Sequence, residues 1–561
     1  MNKVKCKLIS DFNIDNLAGY LNNNEMFSHI EAVITPYNQV IQSLMNADIN
    51  DKKEASDITL CWTQPQSISL SFARVVQFED IDHNQAVKEV DAFCDILVGT
   101  KKNQQLLLVP MWVMPTYFRG YGLLDMKDGL GVANLLNKMN GRLAENLKDH
   151  KSIYILNIQK WINRCGSNAF SPKLWYMAKM AFSNDVFIEA AREIAQFCEM
   201  LNGQARKLII VDLDDTLWGG IIGDEGLEQI RLGGHDFIGE AFVDFQKTIK
   251  SLTNKGIILG IVSKNEESIA LEAIRKHPEM VLREEDFAGW KINWLDKVKN
   301  IEELVSELNL GLQSVVFIDD NPVERDRVKA ALPEVYVPDW PKDKTLYAST
   351  LSEMRCFDTL SITDEDLQRK GMYRSEKKRK DLKASVQSYD KWLKNLQTKI
   401  MVAELQDSNI KRTVQLLNKT NQMNLSTRRL SEGDLKDWCL DKQNNLWVLR
   451  VSDKFGDSGL VGIISLVCRQ NEAQILDFVL SCRVMGRKIE EAMVNLLWKF
   501  ARDAQCNQLW AEFIQTAKNM PCFDFWQKSG FVFQSDSNRF IWDMNYEYQR
   551  PSSIKIESTL L

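Results

Sequence analysis

The chain has 561 residues, 45% apolar and 26% charged, with a formal net charge of -6 at pH 7. That length exceeds what one hydrophobic core usually serves, so three domains are expected in an ordinary soluble globular protein. The mild acidity, with no basic stripe interleaved with aromatics, excludes a global attraction to nucleic acid.

The opening MNKVKCKLISDFN lacks the long apolar region of a secretory signal. Residues 106–115 are the most apolar window, and these ten residues are broken by proline, too short to cross a bilayer. No membrane partner and a cytoplasmic location are therefore expected. The cysteines number 11, and no two lie closer than Cys468 and Cys482. That spacing excludes redox CxxC motifs and metal-ligand pairs, and reduced, buried thiols are expected.

Residues 1–200 begin with a strand-like run at 4–10 and then alternate helix-like and apolar stretches, an α/β pattern. Residues 204–345 hold the densest chemistry. The run 207–211 is short, apolar and β-branched, as suits a strand buried on both faces. It leads into VDLDDTLWGG, where Asp212 and Asp214 stand two apart and so share one side. Asp212 is placed to attack phosphorus and Asp214 to protonate the leaving oxygen. Two carboxylates so close call for a cation, and oxygen ligands favour Mg2+.

Further polar groups follow at the ends of later strands. The strand 257–262 delivers Ser263, Lys297 lies in WLDKVKN, and the strand 314–318 ends in Asp319 and Asp320. Thr216, Ser263 and Lys297 are the phosphate-binding candidates; Asp212, Asp214, Asp319 and Asp320 are the metal candidates. This is where open α/β sheets place their ligands. Little chain separates the strands beyond the helices themselves, so no large cap domain is expected, and an open cleft suits a substrate on a long arm.

Residues 346–395 read as a helical connector. Its RSEKKRKDLK run (374–383) is either a solvated helix face or a docking patch for an acidic carrier. From 398 to 550 the pattern changes: LWVLRVSD, a turn at GDSG, LVGIISLVCR and QILDFVLS form an antiparallel meander, followed by a helix near 489–504 and further strands. Asp457, in that turn, is a candidate to point into a cleft. Residues 551–561 are expected to be a tail.

DLDDT, Ser263, Lys297 and IDDNP resemble the four motifs of the haloacid dehalogenase (HAD) superfamily. DLDDTLWGGIIGDEG, VSKNEE, INWLDKVKNIEEL and FIDDNPVER more narrowly resemble the FkbH-like family. The resemblance implies an α/β multidomain chain: a Rossmann-like HAD core with a parallel sheet, flanked by a degraded SGNH-like N-terminal domain and a GNAT-like α+β C-terminal domain. KLWYMAKMAFS (173–183) is the clearest trace in the first 200 residues. There SDFN would replace a nucleophile loop. With no Asp-x-x-His partner downstream, Ser10 is expected to serve a scaffold or docking role.

The resemblance also implies an activity: glyceryl transfer from 1,3-bisphosphoglycerate to the phosphopantetheine of an acyl carrier protein, with removal of phosphate, for polyketide-type biosynthesis. The alternative is a plain magnesium phosphatase with non-catalytic flanks. By analogy Asp320, supported by Glu324, is the direct metal ligand, although the sequence leaves Asp319 open. SCRVMGRKIEE (481–491) resembles the GNAT pyrophosphate loop. Arg483, Gly486, Arg487 and Lys488 are thus candidates for binding the carrier or its phosphopantetheine, with Lys488 replacing a small residue.

Cys482 at the mouth of this loop is the candidate acyl-carrying nucleophile, cations and a helix start favouring its thiolate. A buried cysteine at a strand end is the other reading. No histidine follows His277, so Asp477 or a core residue would have to assist. NKTNQMNLSTRR (418–429) supplies amides that either read substrate or cap helices. Nothing in the chain resembles a carrier domain, so the carrier is expected to act in trans.

Overall fold

Apolar and alternating runs, punctuated by turn residues, become the strands of three sheets. A computed structural model describes residues 3–558 apart from 24–26, 28, 46–55, 101–105, 202–204, 235, 361, 363–370, 372–374, 376–378, 380, 381, 384, 387, 421, 470, 517 and 518, and omits the side chains of Lys419, Cys482 and Ser558. The chain forms two compact units, Met1–Ala205 and Arg206–Leu561, the second holding two of the sheets. No helix among the described residues is long and apolar enough to cross a membrane.

In the first unit, β1 (Val4–Ser10), β2 (Ile30–Ile34), β3 (Ile58–Trp62), β4 (Leu106–Pro110) and β5 (Ile153–Leu156) form a wholly parallel sheet in the order β2-β1-β3-β4-β5. Every residue of β3 and β4 is buried, as expected of parallel strands covered on both faces. The strand order reverses beside β1, the place where such sheets open a crevice. Ser10 ends β1, and its Oγ accepts from the Phe12 N–H at 3.1 Å. A cavity of about 300 Å³ at this edge is lined by Ser10, Asn13, Thr35, Tyr37 and Lys179 among others.

Asp11, 4% exposed, accepts the Gln64 N–H with both oxygens, at 3.1 and 2.9 Å. Burial pushes its carboxyl up to about 6, against the pull of those hydrogen bonds. An acid whose folded value lies above its unfolded one contributes stability below the unfolded value and loses it as pH rises through the folded one. Asp11→Asn is therefore expected to stabilise this unit at pH 8, by at most about 3 kcal/mol at 1.36 kcal/mol per unit. The gain should fade as pH falls through about 6. Hydrogen exchange of the β1 amides measures it; a variant less stable than wild type at pH 8 would contradict the assignment.

The second unit opens with the parallel sheet β8-β7-β6-β9: β6 (Leu208–Val211), β7 (Ile258–Ser263), β8 (Gly289–Ile292) and β9 (Val315–Ile318). Val211 is in register with Ile318, so Asp212 and Asp319 leave the sheet side by side. Between β6 and β7 the chain forms a short helix, Ile222–Glu225, and a long one, Phe237–Asn254, with no inserted cap domain among the described residues.

The remaining sheet is mostly antiparallel and runs β16-β17-β15-β14-β13-β12-β10-β18, with β11 (Met423–Asn424) on β14. Its strands are β10 (Thr398–Glu404), β12 (Asn444–Asp453), β13 (Gly456–Arg469), β14 (Glu472–Leu480), β15 (Gln508–Glu512), β16 (Val532–Gln534), β17 (Arg539–Asp543) and β18 (Ile554–Ser558). β14 and β15 run parallel, and the helix Ile489–Asp503 lies between them in sequence.

Two expectations are corrected here, and a third at one residue, the other basic positions of its run except Lys383 lying outside the described residues. GDSG is not a turn: β13 starts at Gly456 and the hairpin closes at Lys454 and Phe455, so Asp457 stands opposite Ser452 in the ladder and its Oδ2 accepts from Arg450 Nε at 2.6 Å. Of the expected tail at 551–561, residues 554–558 form a strand, because Ile554 and Ile556 alternate with polar residues and β18 adds parallel to β10; 559–561 lie outside the described residues. In the RSEKKRKDLK run the described residues are Ser375, Arg379, Leu382 and Lys383. Arg379 is 4% exposed and forms a bidentate pair with Asp453, so it serves the interior rather than a docking patch.

Candidate functional site

Asp212, Asp319 and Asp320 meet at the carboxyl edge of β6 and β9, with one oxygen of each within 4.8 Å of the others. Lys297, 3% exposed at the start of the helix Lys297–Glu307, holds them: its Nζ lies 3.0 Å from Asp212 Oδ2 and 2.6 Å from Asp319 Oδ2. Burial pulls the Lys297 ammonium down, but Asp212 and Asp319 outweigh it and keep it charged. Burial, then the neighbouring Asp212, holds the Asp319 carboxyl above its ordinary range.

The two neighbours Asp319 and Asp320 differ in how they are used. Asp319 is fully buried and gives one oxygen to Lys297 and the other to the Asn321 N–H, at 2.9 Å. Asp320 keeps a partly open carboxylate, 3.7 Å from Lys344 Nζ. Asp212 Oδ1 is buried and accepts no hydrogen bond. An orphaned carboxylate oxygen beside a second, open carboxylate fits a hard divalent ion such as Mg2+, with Asp212 and Asp320 as its side-chain ligands. Glu324 binds Lys264 at 2.6 Å through one oxygen and leaves its buried Oε2 without a partner.

Asp214 stands outside this carboxylate cluster, which corrects its inclusion among the side-chain metal ligands. Trp218 Nε1 at 2.9 Å and the Ile222 N–H at 3.2 Å donate to its Oδ1, and Asn265 Nδ2 at 2.9 Å to its Oδ2. Burial raises its carboxyl above the ordinary range, against the Ile222 and Trp218 bonds and with Asp212 adding to the rise. That suits a general acid. Thr216 is fully buried, and its Oγ1 accepts the Asp320 N–H at 3.2 Å, tying the first loop to the fourth. Ser263, 1% exposed, ends β7 at the same edge.

Sequence reasoning missed Lys344, which donates to the Asp215 carbonyl at 2.7 Å and lies over the Tyr347 ring. It follows no motif or periodicity. Trp218 and Asn265 were also missed as positioning groups, although both stand inside the quoted DLDDTLWGG and VSKNEE.

The loop after β14 is assembled differently from expectation. Gly486 and Lys488 both adopt left-handed backbone, with φ of 69° and 60°. Arg487 is 3% exposed; it donates to the Arg483 carbonyl at 2.7 Å and lies 3.4 Å from Asp453 Oδ2. It is a structural ion-pair partner and not a surface contact for a carrier, because its charge is spent inside. Lys488 Nζ lies 3.4 Å from Asp390 Oδ1. The Cys482 side chain lies outside the described residues.

Asp477 cannot assist a thiol as expected: it is fully buried and bound by Arg428 Nε at 3.0 Å and Ser465 Oγ at 2.7 Å. Two amides of the 418–429 segment, those of Asn418 and Asn424, serve the backbone. Asn424 donates to the Thr420 carbonyl and accepts the Thr427 N–H, and Asn418 donates to the Leu430 carbonyl.

No family model matches the chain, and no curated protein matches it. Among solved structures it is similar to the N-terminal part of the protein BF1531 from Bacteroides fragilis, which contains a phosphatase domain complexed with Mg. The two are 28% identical with a TM-score of 0.57, over 64% of this chain and 95% of that chain. That share exceeds residues 204–345 alone. A GNAT-family acetyltransferase from Staphylococcus aureus Mu50 is 11% identical with a TM-score of 0.21, over 26% of this chain and 99% of that chain. Rv2747 from Mycobacterium tuberculosis, in complex with CoA and NLQ, is 20% identical with a TM-score of 0.19, over 24% of this chain and 72% of that chain.

Lys297 is the cation shared by two buried carboxylates. Lys297→Ala should cost about 3 kcal/mol of stability by leaving that charge uncompensated. Urea denaturation in a chelator-containing buffer measures it; a change within about 0.5 kcal/mol, as for an ordinary surface substitution, would show that the cluster is not held this way.

Proposed function

We propose that this chain transfers a glyceryl group from 1,3-bisphosphoglycerate to the phosphopantetheine thiol of a separate acyl carrier protein, removing a phosphate in the process. The observation that carries the phosphoryl half is the buried, unpartnered Oδ1 of Asp212 within the Lys297-held carboxylate cluster. The likeness to a phosphatase domain complexed with Mg supports it.

The Asp212 carboxylate attacks phosphorus of the C3 phosphate. The P–O bond to C3 breaks, its electron pair stays on the C3 oxygen, and Asp214 gives that oxygen its proton. Water then attacks the aspartyl phosphate, releasing inorganic phosphate and restoring Asp212. Lys297 and the Ser263 hydroxyl hold phosphate oxygens, and Thr216 fixes the Asp320 loop. Asp212 and Asp320 would hold Mg2+, which would supply positive charge against the phosphoryl oxygens. Trp218 and Asn265 orient Asp214.

The acyl half rests on Cys482, placed by sequence between β14 and the helix Ile489–Asp503. Its thiolate attacks the C1 carbonyl, the C1–O bond breaks and phosphate leaves. The carrier's phosphopantetheine thiolate then attacks the thioester, taking the glyceryl group and freeing Cys482. Such chemistry belongs to a biosynthetic assembly of the polyketide type.

Mass spectrometry of carrier protein incubated with the protein, Mg2+ and 1,3-bisphosphoglycerate tests the scheme. Wild type should load glyceryl. Asp212→Asn should slow phosphate removal about a thousandfold or more and leave phosphoglyceryl on the carrier, and Cys482→Ala should abolish loading. Glyceryl loading that survives in both variants would overturn the scheme. Phosphate release without any loading by wild type would leave only a magnesium phosphatase.

A further inference from the structure

The loop between β14 and the helix Ile489–Asp503 has the form of an anion cradle. Gly486 and Lys488 adopt left-handed backbone just before a 15-residue helix begins, a combination whose backbone N–H groups commonly gather anions. Here the chain supplies the anion itself. Glu490, 5% exposed, reaches back and accepts the Gly486 N–H with Oε1 at 2.8 Å. The carbonyl of the same glycine accepts the Tyr389 hydroxyl at 2.6 Å. Asp390, next to Tyr389 on the helix Tyr389–Leu396, meets Lys488. Arg379 and Arg487 share the buried Asp453, so the segment ahead of that helix is bound to the same loop.

We infer that Glu490 is a specificity residue that closes this cradle to a nucleotide diphosphate, so that the C-terminal domain accepts the pantetheine arm of a carrier protein and refuses free coenzyme A. The inference rests on the carrier-acylation reading above. Coenzyme A would bring a diphosphate against a buried carboxylate that already holds the Gly486 N–H, and like charges at such range repel. A carrier arm has one phosphodiester, joined to the carrier's serine, and need not enter the cradle. Lys488, which stands where a small residue would leave room, keeps the left-handed turn and is held by Asp390.

Isothermal titration of the full chain with coenzyme A tests this. Wild type should give dilution heats only. Glu490→Ala should bind saturably, at least about tenfold more tightly than the wild-type limit, and Glu490→Gln should gain less because its amide still fills the cradle. Saturable binding by wild type, or a folded Glu490→Ala with no gain, would overturn the inference. Should Glu490→Ala fail to fold, hydrogen exchange of wild type decides. A peptide over 483–488 should be protected without ligand and unchanged by coenzyme A; rapid exchange, or protection added by coenzyme A, would overturn it. Neither readout involves phosphate release or carrier loading, so failure here is distinguishable from failure of the proposed function.

Discussion

Buried negative charge is what the core of the second unit must manage. The register of β6 with β9 brings Asp212 beside Asp319, and the next residue adds Asp320. Carboxylates removed from water cost several kcal/mol each unless paired. Lys297 supplies one cation to Asp212 and Asp319 from the first turn of a helix, and Lys344 approaches Asp320 from a segment beyond the sheet. One lysine between two aspartates leaves a net negative site with an unpartnered oxygen. Around that site Asn265 and Trp218 fix the Asp214 side chain, and Thr216 fixes the loop that carries Asp320.

Much of this arrangement is legible in the sequence because it depends on local rules. A short β-branched strand ending in acids places those acids at a sheet edge whatever the rest of the chain does, and Asp212, Ser263 and Asp319 all obey it. What escapes is partnership across distance. Arg487 reads as a ligand contact because it is basic and near a glycine turn, yet its partner Asp453 lies on another strand. Asp477 reads as a free base, yet Arg428 and Ser465 consume it. Lys344 carries no signal at all. The edge strand at Ile554–Ser558 did have one, the alternation of Ile554 and Ile556 with Lys555 and Glu557, but so short a run near the end of the chain is equally compatible with a tail.

The two chemically distinctive loops of the second unit handle anions in opposite ways. At the parallel sheet an anionic cluster is left short of positive charge, which suits a cation and, with it, a phosphate. Beside the antiparallel sheet the Gly486 N–H is already answered by a carboxylate of the chain itself, Glu490. Between β6 and β7 the described residues form one short and one long helix.

The central claim is that the Asp212 carboxylate is the group that meets phosphorus. A crystal structure of the protein grown with Mg2+ and beryllofluoride, a mimic of a phosphoryl group on aspartate, tests it directly. Density for beryllofluoride joined to Asp212, with the cation shared by Asp212 and Asp320, is the expected result. Beryllofluoride on another residue, or a cation bound away from Asp212, would contradict the account.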